Sequence, residues 1–187
     1  MHLSRCSLAL TTVAHSCAPL LQLFGGHDGR ADLGDTYLLF PSATPQTSGD
    51  GAEAYSVVSV RMRPAETASV AVANPTARRF HTLVTDPLTG CVVMFGGCFS
   101  RSYKTMNDVW ILRQLKDFPM HAAGLCALGS THEWYQPRVT GRAPASRWGH
   151  SASMLRGCMA VFGGRRGRDC NDLHLLRLGE RAVIQWQ

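Results

Sequence analysis

The sequence is short of lysine, of charge in general and of long apolar runs, and each shortage excludes something. Lys104 and Lys116 are the only lysines among 19 basic residues, and a charged fraction of 17% is too low for a disordered chain. No apolar run reaches the roughly 18 residues that a membrane-spanning helix requires, so no membrane segment is predicted. The 7 cysteines, at 6, 17, 91, 98, 126, 158 and 170, include no Cys-x-x-Cys pair and are odd in number. Neither a disulfide framework nor a zinc site follows from them. Reduced thiols and a cytoplasmic location are the simplest reading, with Cys91 and Cys158 packing as small apolar side chains. The alternative at the start of the chain is a secretory signal, because MHLSRCSLALTTVAHSCA has an early Arg, a short apolar stretch and a small-residue end.

What is present argues for β-structure. The 187 residues are 45% apolar, enough for one sizeable core, and Val, Thr, Gly and Pro are spread along the whole length. The formal net charge of +6 is carried almost wholly by arginine, which favours bidentate pairing with carboxylate or phosphate and so an acidic partner. A codon preference for Arg and Ala in a GC-rich genome would give the same bias.

Three apolar runs end alike: LLQLFGG (20 to 26), CVVMFGG (91 to 97) and CMAVFGG (158 to 164). The repetition extends outward. Pro75, Arg78 and His81 align with Pro144, Arg147 and His150, then Gly90-Cys91 with Gly157-Cys158, Asn107-Asp108 with Asn171-Asp172, and Arg113 with Arg177. The first copy is degraded: Gly25, Gly26 and Asp35 are in place, but no His matches His81 and His150, and RCSLA (5 to 9) is the remnant of the Arg-bearing start. Each unit reads as four antiparallel strands, with second strands at 20 to 25, 91 to 96 and 158 to 163. The third strands follow an Asp, and the fourth carry YSVVSVRM (55 to 62), EWYQPRV (133 to 139) and VIQWQ (183 to 187).

The pattern P-x-x-R-x-x-H, apolar run, FGG, N-D-x-x-x-L and a following Trp resembles the kelch motif. Its repeats of about fifty residues each form one four-stranded blade of a β-propeller. The resemblance implies an all-β fold of about three kelch-type blades in a partial or open propeller. The whole of 1 to 187 is one repeat region: blade one at 1–62, blade two at 75–139 and blade three at 144–187. Loop insertions fall at 41–54, 63–77 and 114–133, the last with a short helix near 120 to 128. Three units fall short of the four to eight of a closed propeller. A fragment of a longer protein, a truncated gene product, and a ring completed by self-association all stay open, the first two being favoured.

Physical reasons can be given for the repeated residues. Gly25, Gly26, Gly96, Gly97, Gly163 and Gly164 are expected where the chain turns beside a neighbouring backbone, and Asp35, Asp108 and Asp172 to bond amides in the turn. Trp134 and Trp186 are expected to cover the space between sheets, and Arg78, Arg147, His81 and His150 to be structural polar groups. Loops joining second to third strands, and fourth strands to the next unit, share one face. They place Arg30, Arg101, Lys104, Arg142, Arg165, Arg166 and Arg168 there, with Arg63, Arg78 and Arg79 beside them. Asp50, Glu53, Asp86, Asp117 and Glu133 fall on the other face.

The kelch resemblance implies a non-catalytic protein-interaction scaffold, with the seven basic residues as candidate contacts to an acidic or phosphorylated protein. No cofactor, metal or catalytic residue is expected. A metal-binding enzyme of kelch type would need Tyr, Cys and His ligands at a recognisable spacing, which are absent. RNA binding through GRRGRD (164 to 169) is the other alternative; lacking interleaved aromatics, it makes a nucleic acid an unlikely partner.

Overall fold

A computed structural model describes residues 9–13, 20–41, 46–47, 53–54, 57–61, 63–64, 74–102, 104–114, 131–179 and 183–187. The described residues contain strands and turns and no helix. They build three antiparallel sheets in chain order. The first blade pairs β1 (Ala9–Val13), β2 (Leu20–Phe24), β3 (Thr36–Pro41) and β4 (Val57–Arg61) in sequence. The second pairs β5 (Thr82–Thr85), β6 (Val92–Phe95), β7 (Val109–Gln114) and β8 (Thr131–Tyr135). The third pairs β9 (Ser151–Leu155), β10 (Cys158–Phe162), β11 (Leu173–Arg177) and β12 (Val183–Trp186).

Two sheets are wider than the four strands expected. Arg63–Pro64, inside the expected insertion 63–77, runs parallel to β8, and Arg138–Gly141 runs parallel to β12. Chain leaving one blade's outer strand thus lies along the outer strand of the next and satisfies an otherwise bare edge. Gly141 permits this closeness: its φ is +79°, and a Cβ there would collide with the Trp186 carbonyl. Insertion 41–54 contains a small antiparallel pair, Gln46–Thr47 with Glu53–Ala54. The expected helix near 120 to 128 and the RCSLA remnant lie outside the described residues.

The core lies between blades. One cluster joins Phe24 of the first blade to Leu83, Val92, Met94, Trp110, Leu112 and Trp134 of the second. The other joins the opposite face of the second blade, including Val93, Phe95 and Val109, to Met159, Val161, Leu176, Ile184 and Trp186 of the third. Strand β6 is therefore buried on both faces, which is why its sequence is a continuous apolar run rather than an alternation. In β10, Met159 and Val161 are buried against the second blade whereas Phe162 is 50% exposed.

Candidate interaction face

Each junction is seated on the double glycine. Gly25 and Gly26 both have positive φ, and Gly26 N–H donates to the Arg78 carbonyl of the following blade at 2.9 Å. Arg78 N–H in turn donates to the Leu33 carbonyl at 3.1 Å. The second junction repeats this: Gly97 N–H donates to the Arg147 carbonyl at 2.9 Å, and Arg147 N–H to the Met106 carbonyl at 3.0 Å. A Cβ at Gly25 would stand 2.6 Å from the Arg78 carbonyl oxygen, and one at Gly96 2.9 Å from that of Arg147. Glycine here makes room for a neighbouring backbone.

The arginine side chains are buried inside their own blades. Arg78, 0% exposed, donates to both Asp108 carboxylate oxygens at 2.7 and 2.8 Å and to the Gly96 carbonyl at 3.1 Å. Arg147 does the same with Asp172 at 2.6 and 2.9 Å and with the Gly163 carbonyl at 2.9 Å. Asp108 and Asp172, expected to bond turn amides, serve as counter-ions, because a buried guanidinium needs a bidentate partner. Burial pushes the Asp108 carboxyl up, but the hydrogen bonds and charge of Arg78 outweigh it and hold the group below the usual carboxylate range. Arg147 holds Asp172 well below that range, with His174 helping. A ring N–H two residues after each of these aspartates completes its shell: Trp110 Nε1 donates to Asp108 at 2.7 Å, and His174 Nε2 lies 2.8 Å from Asp172. That position carries different residues in the two units, so the repeat alignment did not mark it.

The histidines lie across the junctions. His81 packs edge-on against Phe24 of the preceding blade at 5.5 Å between ring centroids, and His150 against Phe95 at 5.1 Å. Trp134 and Trp186 cover the same phenylalanines at 5.2 and 5.1 Å. Burial, reinforced by Arg78 and His150, pushes the His81 imidazole down to about 3, and burial with Arg147 pushes His150 down to about 4. Thr82 Oγ1 lies 2.9 Å from His150 Nε2, whereas neither ring nitrogen of His81 has a hydrogen-bond partner among the described residues. The register explains the difference. Ala9 faces Phe24 as Thr82 faces Phe95, so the degraded first unit brings no hydroxyl to that position.

Loops between second and third strands, and the segments leading into first strands, meet at one end of the sheets. Arg79 pairs with Cys98 and Trp148 with Arg165 through isolated bridges. Two of the loops are small hairpins, Cys98–Phe99 with Lys104–Thr105 and Arg165–Arg166 with Arg168–Asp169. In the first blade Asp28 accepts from the amides of Arg30 and Ala31, both at 2.8 Å, which hold its carboxyl below the ordinary value. Arg30, Arg101, Lys104, Arg142, Arg165, Arg166 and Arg168 are all exposed. The structure closely associates Arg165, Arg166 and Arg168 in one hairpin; Lys104 belongs to another, with Arg101 in its turn.

Three expectations about the faces change. Arg78 is buried and leaves the basic face. Arg79 lies 3.7 Å from Asp32, whose carboxylate also accepts from the hydroxyl of Ser100 at 2.8 Å and so links the loops of blades one and two. Asp86 leaves the acidic face: it is 3% exposed and accepts from Leu88 N–H and Thr89 Oγ1 within its own turn. Phe80 and Trp148 stack at 5.1 Å, with Arg79 over one ring and Arg165 over the other. These residues do not match between units, so no repeat signal announced the stack. Among the described residues, no three His, Cys, Asp or Glu side chains gather as metal ligands.

Stacked sheets joined at two junctions, each with an arginine seated on the preceding Phe-Gly-Gly, define this chain as a run of kelch-type β-propeller blades. The sequence profile of the KLHDC2/KLHL20/DRC7 Kelch-repeats domain matches residues 43–187, and the chain belongs to that family. Kelch domain-containing protein 3 of Homo sapiens and that of Mus musculus are each 48% identical over 60 residues, a stretch covering 30% of this chain and 15% of theirs. Among solved structures, YjhT superposes with a TM-score of 0.58 at 12% identity, over 98% of this chain and 45% of that one. A chain from the cryo-EM structure of RAG in complex with one melted and one unmelted RSS gives a TM-score of 0.64 at 15% identity, over 97% of this chain and 50% of its own. The chain thus spans about half the length of these structural neighbours.

Proposed function

We propose that the chain is a non-catalytic protein-interaction scaffold whose loop-bearing face binds an acidic or phosphorylated protein segment. Membership of the kelch family supports the scaffold role. The observation that carries the finer reading is the third-blade hairpin, where Arg166 and Arg168 stand directly opposite each other. Like charges in facing positions destabilise a hairpin, and Asp169 is engaged by Arg165 at 2.9 Å. An anion between the two guanidinium groups removes that repulsion and gives each a forked partner.

The test replaces Arg165, Arg166 and Arg168 together by Ala and measures binding to an acidic phosphoserine peptide, with a neutral scrambled peptide as control. Binding of the acidic peptide should fall at least about tenfold, while the melt moves by no more than about 1 kcal/mol, because all three side chains are exposed and only the surface contacts of Arg165 with Asp169 and Trp148 are lost. Equal binding by the variant would refute the assignment to this hairpin.

A further inference from the structure

The outer edges of the second and third sheets are built alike and finished differently. Each is made by chain arriving from the preceding blade and running parallel to an outer strand. At the second sheet that chain is Arg63–Pro64, two residues of which the proline has no N–H to offer. At the third it is Arg138–Gly141, four residues with no proline among them. Thr140 Oγ1 donates to the Ile184 carbonyl at 3.3 Å and helps to hold this strand against β12. Among the described residues it is the last strand of its sheet, so alternate N–H and C=O groups point away from β12 into water. Residues 138–143 are exposed without a break, and Val139, 38% exposed, offers an apolar contact beside the edge.

Charge decides what can pair there. No Asp or Glu occurs between Glu133 and Asp169, whereas seven arginines fall in that interval. Asp172 matches Arg147 and Asp169 matches Arg165. Arg138, the first residue of the edge strand, and Arg142, just past its last, have no carboxylate partner among the described residues. Pairing this edge with that of a second copy about Thr140 would set Arg138 of each copy against Arg142 of the other, which like-charge repulsion disfavours. An acidic strand meets the opposite condition.

We propose that Arg138–Gly141 is a docking edge for an extended acidic segment of a partner protein, which adds to the third sheet as a sixth strand. Backbone hydrogen bonds supply the pairing, and carboxylates towards the two ends of the incoming strand meet Arg138 and Arg142. The partner joins in the plane of the sheet, at its rim; blades instead stack through sheet faces, where Ile184 and Trp186 meet the second blade. The edge is separate from the Arg165–Asp169 hairpin and does not depend on it.

The probe is a capped peptide of alternating Glu and Thr, added to the full chain. Hydrogen exchange should show the outward-facing amides among residues 138–141 slowed about tenfold or more at saturation. The same peptide with every backbone amide N-methylated keeps its charge and should protect nothing, and neither should a Lys-Thr peptide. Arg138→Glu combined with Arg142→Glu should transfer the protection from the Glu-Thr to the Lys-Thr peptide, while replacing Arg165, Arg166 and Arg168 by Ala should leave it with Glu-Thr. Unslowed amides in the unmodified chain overturn the proposal, and so does equal protection by the N-methylated peptide. Loss of protection in the hairpin variant would overturn it by moving the peptide to the hairpin. Concentration-dependent protection of residues 138–141 without peptide would overturn the acidic partner in favour of a second copy.

Discussion

Trp134 Nε1–H donates to Thr36 Oγ1 of the preceding blade at 3.1 Å, while Trp186 Nε1, its counterpart one junction later, is buried with no acceptor among the described residues. The position of Thr36 in the second blade is held by Val109, also buried, which has the same shape but no oxygen. Val109→Thr should therefore stabilise the protein by about 1 kcal/mol, the net worth of one recovered hydrogen bond, read as a higher urea midpoint at unchanged m-value. A lower midpoint would mean that the hydroxyl's own desolvation wins. The junction histidines add a pH dependence. Both have folded pKa values below the ordinary 6.5, about 3 for His81 and about 4 for His150, so the unfolded chain binds their protons first. Their contribution is full above about pH 6.5 and declines as pH falls, towards about 4 for His150 and about 3 for His81. Denaturant melts across that range should show the decline, and His150→Gln should flatten its upper part. An equal slope in the variant would count against His150 as a source.

At the scale of the element, two glycines of similar backbone conformation have different reasons to be glycine. Gly97 has φ +97°, and a Cβ there would stand 2.8 Å from His81 Cβ and 2.9 Å from the Arg79 carbonyl oxygen. Gly149 has φ +65° with nothing within 4 Å, and Phe80 occupies the matching position with φ +57°. Gly149→Asn should then cost under about 1 kcal/mol, since only the left-handed backbone is at stake and Asn tolerates it. Gly97→Ala should cost more than about 2 kcal/mol, because strain and collision add. Equal thermal shifts for the two variants would contradict this account. The same distinction limits what sequence could reveal. Repetition of Phe-Gly-Gly, Arg and His displays every position where the units agree, and from it the blade order, second strands and junction residues are readable. It does not display contacts made once. The Phe80–Trp148 stack and the Arg79–Asp32–Ser100 link join residues that differ between units. Arg63–Pro64 reads as linker, and Arg138 and Val139 read as the end of the fourth strand EWYQPRV rather than as a separate edge strand, because their pairing is with a distant strand and carries no local pattern.

For the molecule as a whole, placing the core between blades makes stability a matter of neighbours, as in other stacked repeats. The three Phe residues before the double glycines are one residue in sequence terms and three in energetic terms. Phe95 is 0% exposed, touches both His150 and Trp186, and belongs to the cluster that binds the second blade to the third. Removing its ring leaves a cavity at that junction and takes the contact surface from both lids. Phe95→Ala should therefore cost about 3–5 kcal/mol. Its effect should extend to the third blade, whose β10 and β11 amides should exchange faster than those of the first blade. Phe162 is 50% exposed and has only its own sheet to rest on. Phe162→Ala should cost about 1 kcal/mol or less, because half of its apolar surface is already in water. Urea melts of the two variants, paired with hydrogen exchange resolved by blade, provide the check: similar losses would mean that each sheet is stabilised chiefly from within.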